Sequence, residues 1–110
     1  VRVVCLDCAE HAMPDADVMA VSGIGDLADF NFRAGRGCAH CRGTGFKGRK
    51  AVAEVLMLDD ELREMIVTRE PVRRIKEAAC RKGTRLLRET GLDLVRRGET
   101  SLQELNRVVA

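Results

Sequence analysis

Two cysteine pairs constrain this 110-residue chain more than any other feature. Cys5-Leu6-Asp7-Cys8 and Cys38-Ala39-His40-Cys41 each separate two thiols by two residues, so both thiols of a pair can turn toward one point. Together the pairs offer four thiolates, the ligand set of a tetrahedral structural zinc site. A disulfide framework is the weaker reading, because nothing suggests export and a fifth cysteine, Cys80, leaves the count odd. A thiol–disulfide role for one pair competes, although neither pair sits in the βαβ pattern that such motifs occupy. The 29 residues from 9 to 37 that separate the pairs exceed the roughly 15–20 common in compact zinc modules, so they should carry a small element of their own. The expected metal ligands are therefore Cys5, Cys8, Cys38 and Cys41, around one structural Zn2+. Cys80 falls in a helical pattern and reads as a small core residue. His11 and His40 read as surface neighbours of the site, since four thiolates already complete a tetrahedron.

The second pair runs straight into glycines that admit other readings. Gly43, Gly45 and Gly48 spell G-x-G-x-x-G, and Gly43 and Gly48 bracket four residues as the glycines of a P-loop do. A phosphate loop needs a strand before it and a helix N-terminus after it to receive the anion. Here a cysteine pair precedes the glycines. After them, Ala51, Ala53 and Val55 alternate with Val52, Glu54 and Leu56, which predicts a strand. Arg49 and Lys50 stand where Lys and then Ser or Thr would be, so no hydroxyl is offered to Mg2+. Glycines after Cys41 instead let the backbone turn tightly with its N–H groups near sulfur. Metal is the better reading of this stretch.

Charge is divided along the chain. Residues 1 to 32 set Arg2 against Asp7, Glu10, Asp15, Asp17, Asp26 and Asp29, a net of −5. Residues 33 to 50 carry Arg33, Arg36, Arg42, Lys47, Arg49 and Lys50 with no acid, a net of +6. That basic stretch reads either as a solvated face balancing thiolates or as a surface for an anionic partner. The formal net charge of +2 counts cysteines as neutral; four thiolates and one Zn2+ bring it to zero. A general electrostatic case for nucleic acid then fails, and without Trp or Tyr there is little aromatic surface on which bases could stack. No apolar run approaches the ~20 residues of a membrane span, and residues 1 to 20 do not read as a signal peptide. The strand-like opening Val-Arg-Val-Val, without an initiator Met, reads as the start of an excised fragment.

Local signals predict an α+β fold: a small four-cysteine knuckle module with short strands over residues 1–56, then a bundle of about four short helices over residues 57–110. Within the module, Asp15 caps and Gly23 stops a short helix, and residues 29–35 read as a strand with Phe30 and Phe32 on one side. The first later helix opens on Asp59-Asp60-Glu61 and places Leu62, Met65 and Ile66 on one face. The second starts with Pro71, ends at Lys82-Gly83 and carries Val72, Ile75 and Ala79 inward. The third has Thr84 as cap, Leu87, Gly91, Leu94 and Val95 inward and Gly98 as terminator. The last begins with a capping box, Ser101 and Glu104, and aligns Leu102, Leu105 and Val109. With caps and stripes of its own, the helical half is expected to depend little on the metal. No catalytic constellation is visible.

The run from Cys38-x-x-Cys41-Arg-Gly-Thr-Gly through Ile66, then Lys82-Gly-Thr through Val109, resembles the C-terminal part of the bacterial type II secretion and type IV pilus assembly ATPases. The resemblance covers essentially the whole chain. The knuckle alone is shared with J-domain chaperones, but those repeat it four times, and here Cys8 is followed by Ala9 and Glu10 instead of glycines. Lys50-Ala51 replaces a more usual Thr-Gly, and Phe46 stands where Tyr is frequent. The resemblance implies a hexameric cytoplasmic motor, peripheral to the inner membrane through platform proteins, with its P-loop upstream of Val1. It implies that this chain is the non-catalytic zinc-binding portion, with no nucleotide of its own, whose partners are the rest of the ATPase, its hexamer neighbours and the platform. Two other classes remain: a free-standing zinc adaptor for nucleic acid or protein using residues 33–50, and a CxxC thiol–disulfide protein.

Overall fold

The computed structural model describes residues 1–24 and 29–109, so Asp26 of the acidic stretch lies outside the described residues. The chain runs β1 (Arg2–Val4), β2 (Ala9–His11), α1 (Ala16–Ser22), β3 (Arg33–Gly35), β4 (Phe46–Arg49), α2 (Asp60–Val67), α3 (Val72–Arg81), α4 (Leu87–Arg96) and α5 (Leu102–Val108). The architecture is α+β, with short strands and five helices among the described residues.

The strands form two antiparallel pairs. β1 lies against β4, with Arg2 opposite Arg49 and Val4 opposite Phe46. β2 lies against β3, with Ala9 opposite Gly35, Glu10 opposite Ala34 and His11 opposite Arg33. This nesting has a direct consequence for the cysteines. β1 ends just before Cys5 and β4 starts shortly after Cys41, while β2 starts just after Cys8 and β3 ends before Cys38. Each ladder therefore ties a flank of the first cysteine pair to a flank of the second.

The main core consists of Phe32, Val95, Leu102, Leu105 and Val109, with Val18, Met19, Phe30, Val52, Leu87 and Leu92 packed around it. Each fully buried aliphatic or aromatic side chain contributes about 1.5–3 kcal/mol. Phe30 and Phe32 stack with centroids 5.1 Å apart, so they do share a side, although the strand itself starts only at Arg33. The helical half was expected to stand on its own core, but α4 and α5 close over Phe32 and α1 instead. Helix propensity could not show this, because an apolar stripe does not name the surface it meets.

Gly91 sits where α4 meets α5: a Cβ there would come within 2.3 Å of Leu105 Cδ1. A mid-helix glycine suggests a close neighbouring backbone, but the neighbour here is the Leu105 side chain. α1 begins at the expected Asp15 and ends at Gly23, whose φ of 68° is left-handed, but the Asp15 side chain makes no capping bond. α2 does receive its cap, from Asp59 to the Leu62 N–H.

Several local expectations fail for identifiable reasons. Residues 51–56, expected as a strand, have no regular structure, and Val55 and Leu56 are 68% and 42% exposed. A strand needs a ladder partner, and among the described residues none lies beside them. Thr84 does not cap α4; its N–H closes the end of α3 by donating to the Ala79 carbonyl at 3.1 Å. Helix α4 starts at Leu87, whose N–H is taken by the Glu54 carboxylate at 2.6 Å, a cap delivered from 33 positions away. Val72, expected inward, is 66% exposed, and Cys80 is exposed while Ala78 and Ala79 occupy the inner positions of α3. In α2, Leu62 is buried but Ile66 is 46% exposed.

Helices α2 and α3 pack chiefly on each other and stand away from the rest. The radius of gyration is 17.0 Å, against about 13 Å for a compact chain of this length. The molecule thus has a packed body, which carries the cysteines, and a projecting helical hairpin.

Candidate metal centre

The four expected cysteines converge. Among the described residues, the Sγ atoms of Cys5, Cys8, Cys38 and Cys41 all lie within 4.8 Å of one another, in a group that contains no histidine or carboxylate. Cys5 and Cys38 are 3.8 Å apart at sulfur, Cys8 and Cys41 3.8 Å, and Cys38 and Cys41 3.7 Å. All are free thiols. A zinc–sulfur bond of about 2.3 Å in tetrahedral geometry sets sulfurs about 3.8 Å apart along each edge. These three separations match that edge, whereas a disulfide would bring two sulfurs to about 2.04 Å.

Backbone N–H groups supply the next layer. Gly37 donates to Cys8 Sγ at 3.3 Å, and Cys38 and Gly45 each donate to Cys41 Sγ at 3.2 Å. Such bonds orient and stabilise thiolates. Here the glycine-rich stretch finds its use. Gly45 turns its N–H to sulfur and its carbonyl to the Cys5 N–H, 2.9 Å away, so one residue links the two cysteine pairs. Its φ of 79° is left-handed, and a Cβ on it would meet the Gly35 carbonyl oxygen at 2.4 Å. Only glycine fits on both counts.

Electrostatics point the same way. Burial pushes the Cys8 thiol up to about 12, against the lowering effect of the Gly37 N–H. Burial also raises Cys41, but the N–H groups of Cys38 and Gly45 outweigh it and take the thiol down to about 6. Neighbouring sulfurs this close cannot all ionise unless a cation compensates them. The donor set, the spacing and the N–H layer fit a divalent, thiophilic ion.

The other sequence candidates stay outside. His11 is exposed at the end of β2, His40 is exposed within the second knuckle, and Cys80 lies on α3. Of the basic stretch, Arg33 donates to the Ala9 carbonyl and Lys50 pairs with Glu99. Arg36, Arg42, Lys47 and Arg49 are exposed and make no ion pair among the described residues.

Sequence reasoning missed one feature beside the site. Glu104 was expected to complete a capping box. The Ser101 hydroxyl does accept the Glu104 N–H at 3.1 Å, but the carboxylate is buried and turned to Arg2. It accepts from the Arg2 backbone N–H at 2.8 Å, from the Arg2 guanidinium at 3.0 and 3.1 Å, and from Arg107 at 2.8 and 3.0 Å. Arg2 in turn lies over the Phe46 ring, 4.2 Å from its centroid. This cluster anchors β1 and β4, the ladder that feeds the cysteines, to α5. No local motif announces a partner about a hundred positions away.

Fold and site together define a small α+β module in which paired ladders present a four-cysteine cluster. The module can be placed more closely by comparison. Residues 1–107 match the family model described as type II/IV secretion system protein, and the chain belongs to that family. It is 40% identical over 107 residues to the type IV pilus assembly ATPase PilB of Thermus thermophilus, covering 96% of this chain and 12% of that protein. It is 34% identical over 108 residues to the type II secretion system ATPase E of Vibrio cholerae, covering 98% of this chain and 21% of that protein. The type II secretion system protein E of Pseudomonas aeruginosa is 30% identical, with 98% and 21% covered. The chain thus spans only about an eighth to a fifth of the length of these relatives. No helix among the described residues is long and apolar enough to cross a membrane.

Proposed function

We propose that this chain is the non-catalytic, zinc-binding C-terminal portion of a motor ATPase serving type II secretion or type IV pilus assembly. Residues 1–56 would form its metal-binding subdomain and residues 57–110 its helical subdomain, joined through the Phe32 core and both within one larger ATPase domain. Cys5, Cys8, Cys38 and Cys41 would hold one Zn2+, which supplies structural cross-linking and no reaction chemistry. The observation that carries the reading is the convergence of four sulfurs within 4.8 Å, three of their separations at the tetrahedral edge, in a chain matched nearly end to end by proteins named as secretion and pilus ATPases.

In this reading the parent is a cytoplasmic hexamer at the inner membrane, held there by platform proteins, and this portion helps couple ATP hydrolysis to pilus or pseudopilus assembly. Its partners are the rest of the ATPase, the neighbouring subunits and the platform. Nucleic acid is not among them, because zinc loading brings the formal charge to zero. The chain's own residues position one another: the ladders bring the cysteine pairs together, and Gly37, Cys38 and Gly45 orient the sulfurs.

Two measurements test this. Elemental analysis of protein purified without chelator is expected to return close to one zinc per chain; near zero or near two would refute the ligand assignment. The isolated chain is expected to neither bind nor hydrolyse ATP, while the full-length parent does both. A parent gene without a P-loop would defeat the ATPase reading.

A further inference from the structure

Two surfaces of the body carry opposite charge, and neither is neutralised within the chain. The first is the tip where the two cysteine turns meet. Leu6, between Cys5 and Cys8, is 86% exposed. Arg36 donates its backbone N–H to the Cys8 carbonyl at 3.1 Å, and Arg42 follows Cys41 directly, so both arginines rim the cysteine cluster. Both are exposed and make no ion pair among the described residues. Arg42 is also held at a cost. Its φ of 55° is left-handed, a region that L side chains enter against steric resistance. Gly37, Gly43 and Gly45 fill the other left-handed positions of that loop. An arginine kept where glycine would be easier, and paired with no acid of its own chain, points to a contact outside it.

The second surface is the outer side of α1. This helix turns Val18 and Met19 toward the Phe32 core and buries Ser22, whose hydroxyl accepts from Asn106 at 2.8 Å. Its other side carries Asp17, Ala20 and Val21, neighbours at helical spacing, with Val21 77% exposed. The solvent face of a surface helix is ordinarily polar, with both signs of charge. Here residues 12–22 contain no Lys or Arg. Asp15 and Asp17 make no ion pair among the described residues, and Asp15 makes no capping bond.

One surface thus offers a large apolar side chain flanked by two guanidiniums, the other a large apolar side chain beside two carboxylates. We propose that they meet between copies: Leu6, Arg36 and Arg42 of one subunit dock on Asp15, Asp17 and Val21 of its neighbour. The inference rests on the proposed function, in which the parent is a hexamer. A contact that uses a different surface from each copy is heterologous, the kind that repeats around a closed ring. Exposed ion pairs are individually weak. The contact therefore forms where the ring already holds copies side by side and raises their effective concentration, and the isolated chain stays monomeric. A dense polyanion such as nucleic acid or an anionic bilayer suits the tip less well, because exposed Asp7 sits beside Leu6.

The test is zero-length carbodiimide cross-linking, which joins a carboxylate to an amine, on the full-length parent carrying Arg42→Lys. Zinc-loaded rings are assembled from an equal mixture of isotopically light and heavy subunits, and cross-linked peptides are identified by mass. Links from residue 42 to Asp15 or Asp17 should appear as mixed light–heavy pairs. Links confined to a single isotope, or no link to α1, overturn the proposal. Links from residue 42 only to carboxylates elsewhere in the parent overturn it in favour of docking on the ATPase core. Charge reversal supplies the second measurement. Asp17→Lys should move the midpoint of ring dissociation on dilution to at least ~3-fold higher concentration, and adding Arg42→Glu should restore it. A double variant no better than Asp17→Lys alone overturns the contact. Loss of zinc by Arg42→Glu would also overturn it, assigning that arginine to balancing the thiolates. Cross-links and sedimentation are read whether or not the parent turns over ATP, so failure of this contact and failure of the ATPase reading are separate results.

Discussion

The body and the hairpin are built from similar amphipathic pieces, yet they end in different states. In the body, Phe32, Val95, Leu102, Leu105 and Val109 are buried by contacts from distant parts of the chain. In the hairpin and the arm leading to it, Val55, Met57, Val67 and Val72 are 66–79% exposed. Composition does not separate the two regions; the presence of a second surface does. A side chain is buried only when another element arrives, and the body has three sources of such elements: paired ladders, a cysteine cluster and two packed helices. Among the described residues, the hairpin packs chiefly on its own second helix.

Metal removal should break this comparison most severely. A structural zinc can contribute on the order of 10 kcal/mol of apparent binding energy, and the ladders that hold the cysteines also support Phe32. Chelation, or Cys38→Ser, is expected to unfold the body in one step, including α4 and α5. A two-dimensional amide spectrum would show loss of dispersion across residues 1–50 and 87–109, with residues 60–81 moving little. Retention of α4 and α5 signals would mean that the helices hold without the strands.

Core truncation comes next. Leu105→Ala should cost about 2–5 kcal/mol, lowering the melting temperature by ~4–8 °C per kcal/mol, whereas Ile66→Ala on the hairpin should stay within about 0.5 kcal/mol. Comparable losses at both positions would erase the distinction between the regions.

Glu104 sharpens the body further. Its hydrogen bonds with Arg107, opposed by burial and joined by those from Arg2, hold the carboxyl well below its ordinary range. A depressed folded-state value means that the contribution is fully present above about 4.5, the unfolded value, and is lost as pH falls below it. Glu104→Gln should cost about 1–3 kcal/mol at neutral pH and should flatten the acid limb of a stability–pH curve. An unchanged acid limb would place the burden on other carboxylates.

Gly91→Ala sets two effects against each other. Better helix propensity offers about 1 kcal/mol, but the added Cβ presses on Leu105, and overpacking typically costs ~1–3 kcal/mol. A net loss near 1 kcal/mol in chemical denaturation is expected; a gain would show that Leu105 can move aside. The smallest effect belongs to Lys82→Ala on the hairpin. Lys82 bonds Asp59 and also reaches Glu61 at 2.8 Å, but solvent screens these exposed groups, so the midpoint of chemical denaturation should barely move.

The cysteine cluster was the most legible part of the molecule. Two-residue spacing within each pair is a local geometric constraint, so Cys5, Cys8, Cys38 and Cys41 could be named as a set without knowing the path between them. Helix positions were legible for the same reason, since caps and stripes act over one or two turns. Partners were not. Glu54 reads as a strand residue and serves as the cap of α4; Glu104 reads as half of a capping box and serves as the anchor of Arg2.

Residue spacing alone settled the cysteine set, the α+β class and the approximate limits of most helices, because those depend on interactions between near neighbours. Only the tertiary structure decided that α4 and α5 share a core with Phe32, that Cys80 faces outward and that residues 51–56 find no ladder among the described residues. Each of these depends on which surface arrives opposite, and the topology of the whole chain sets that.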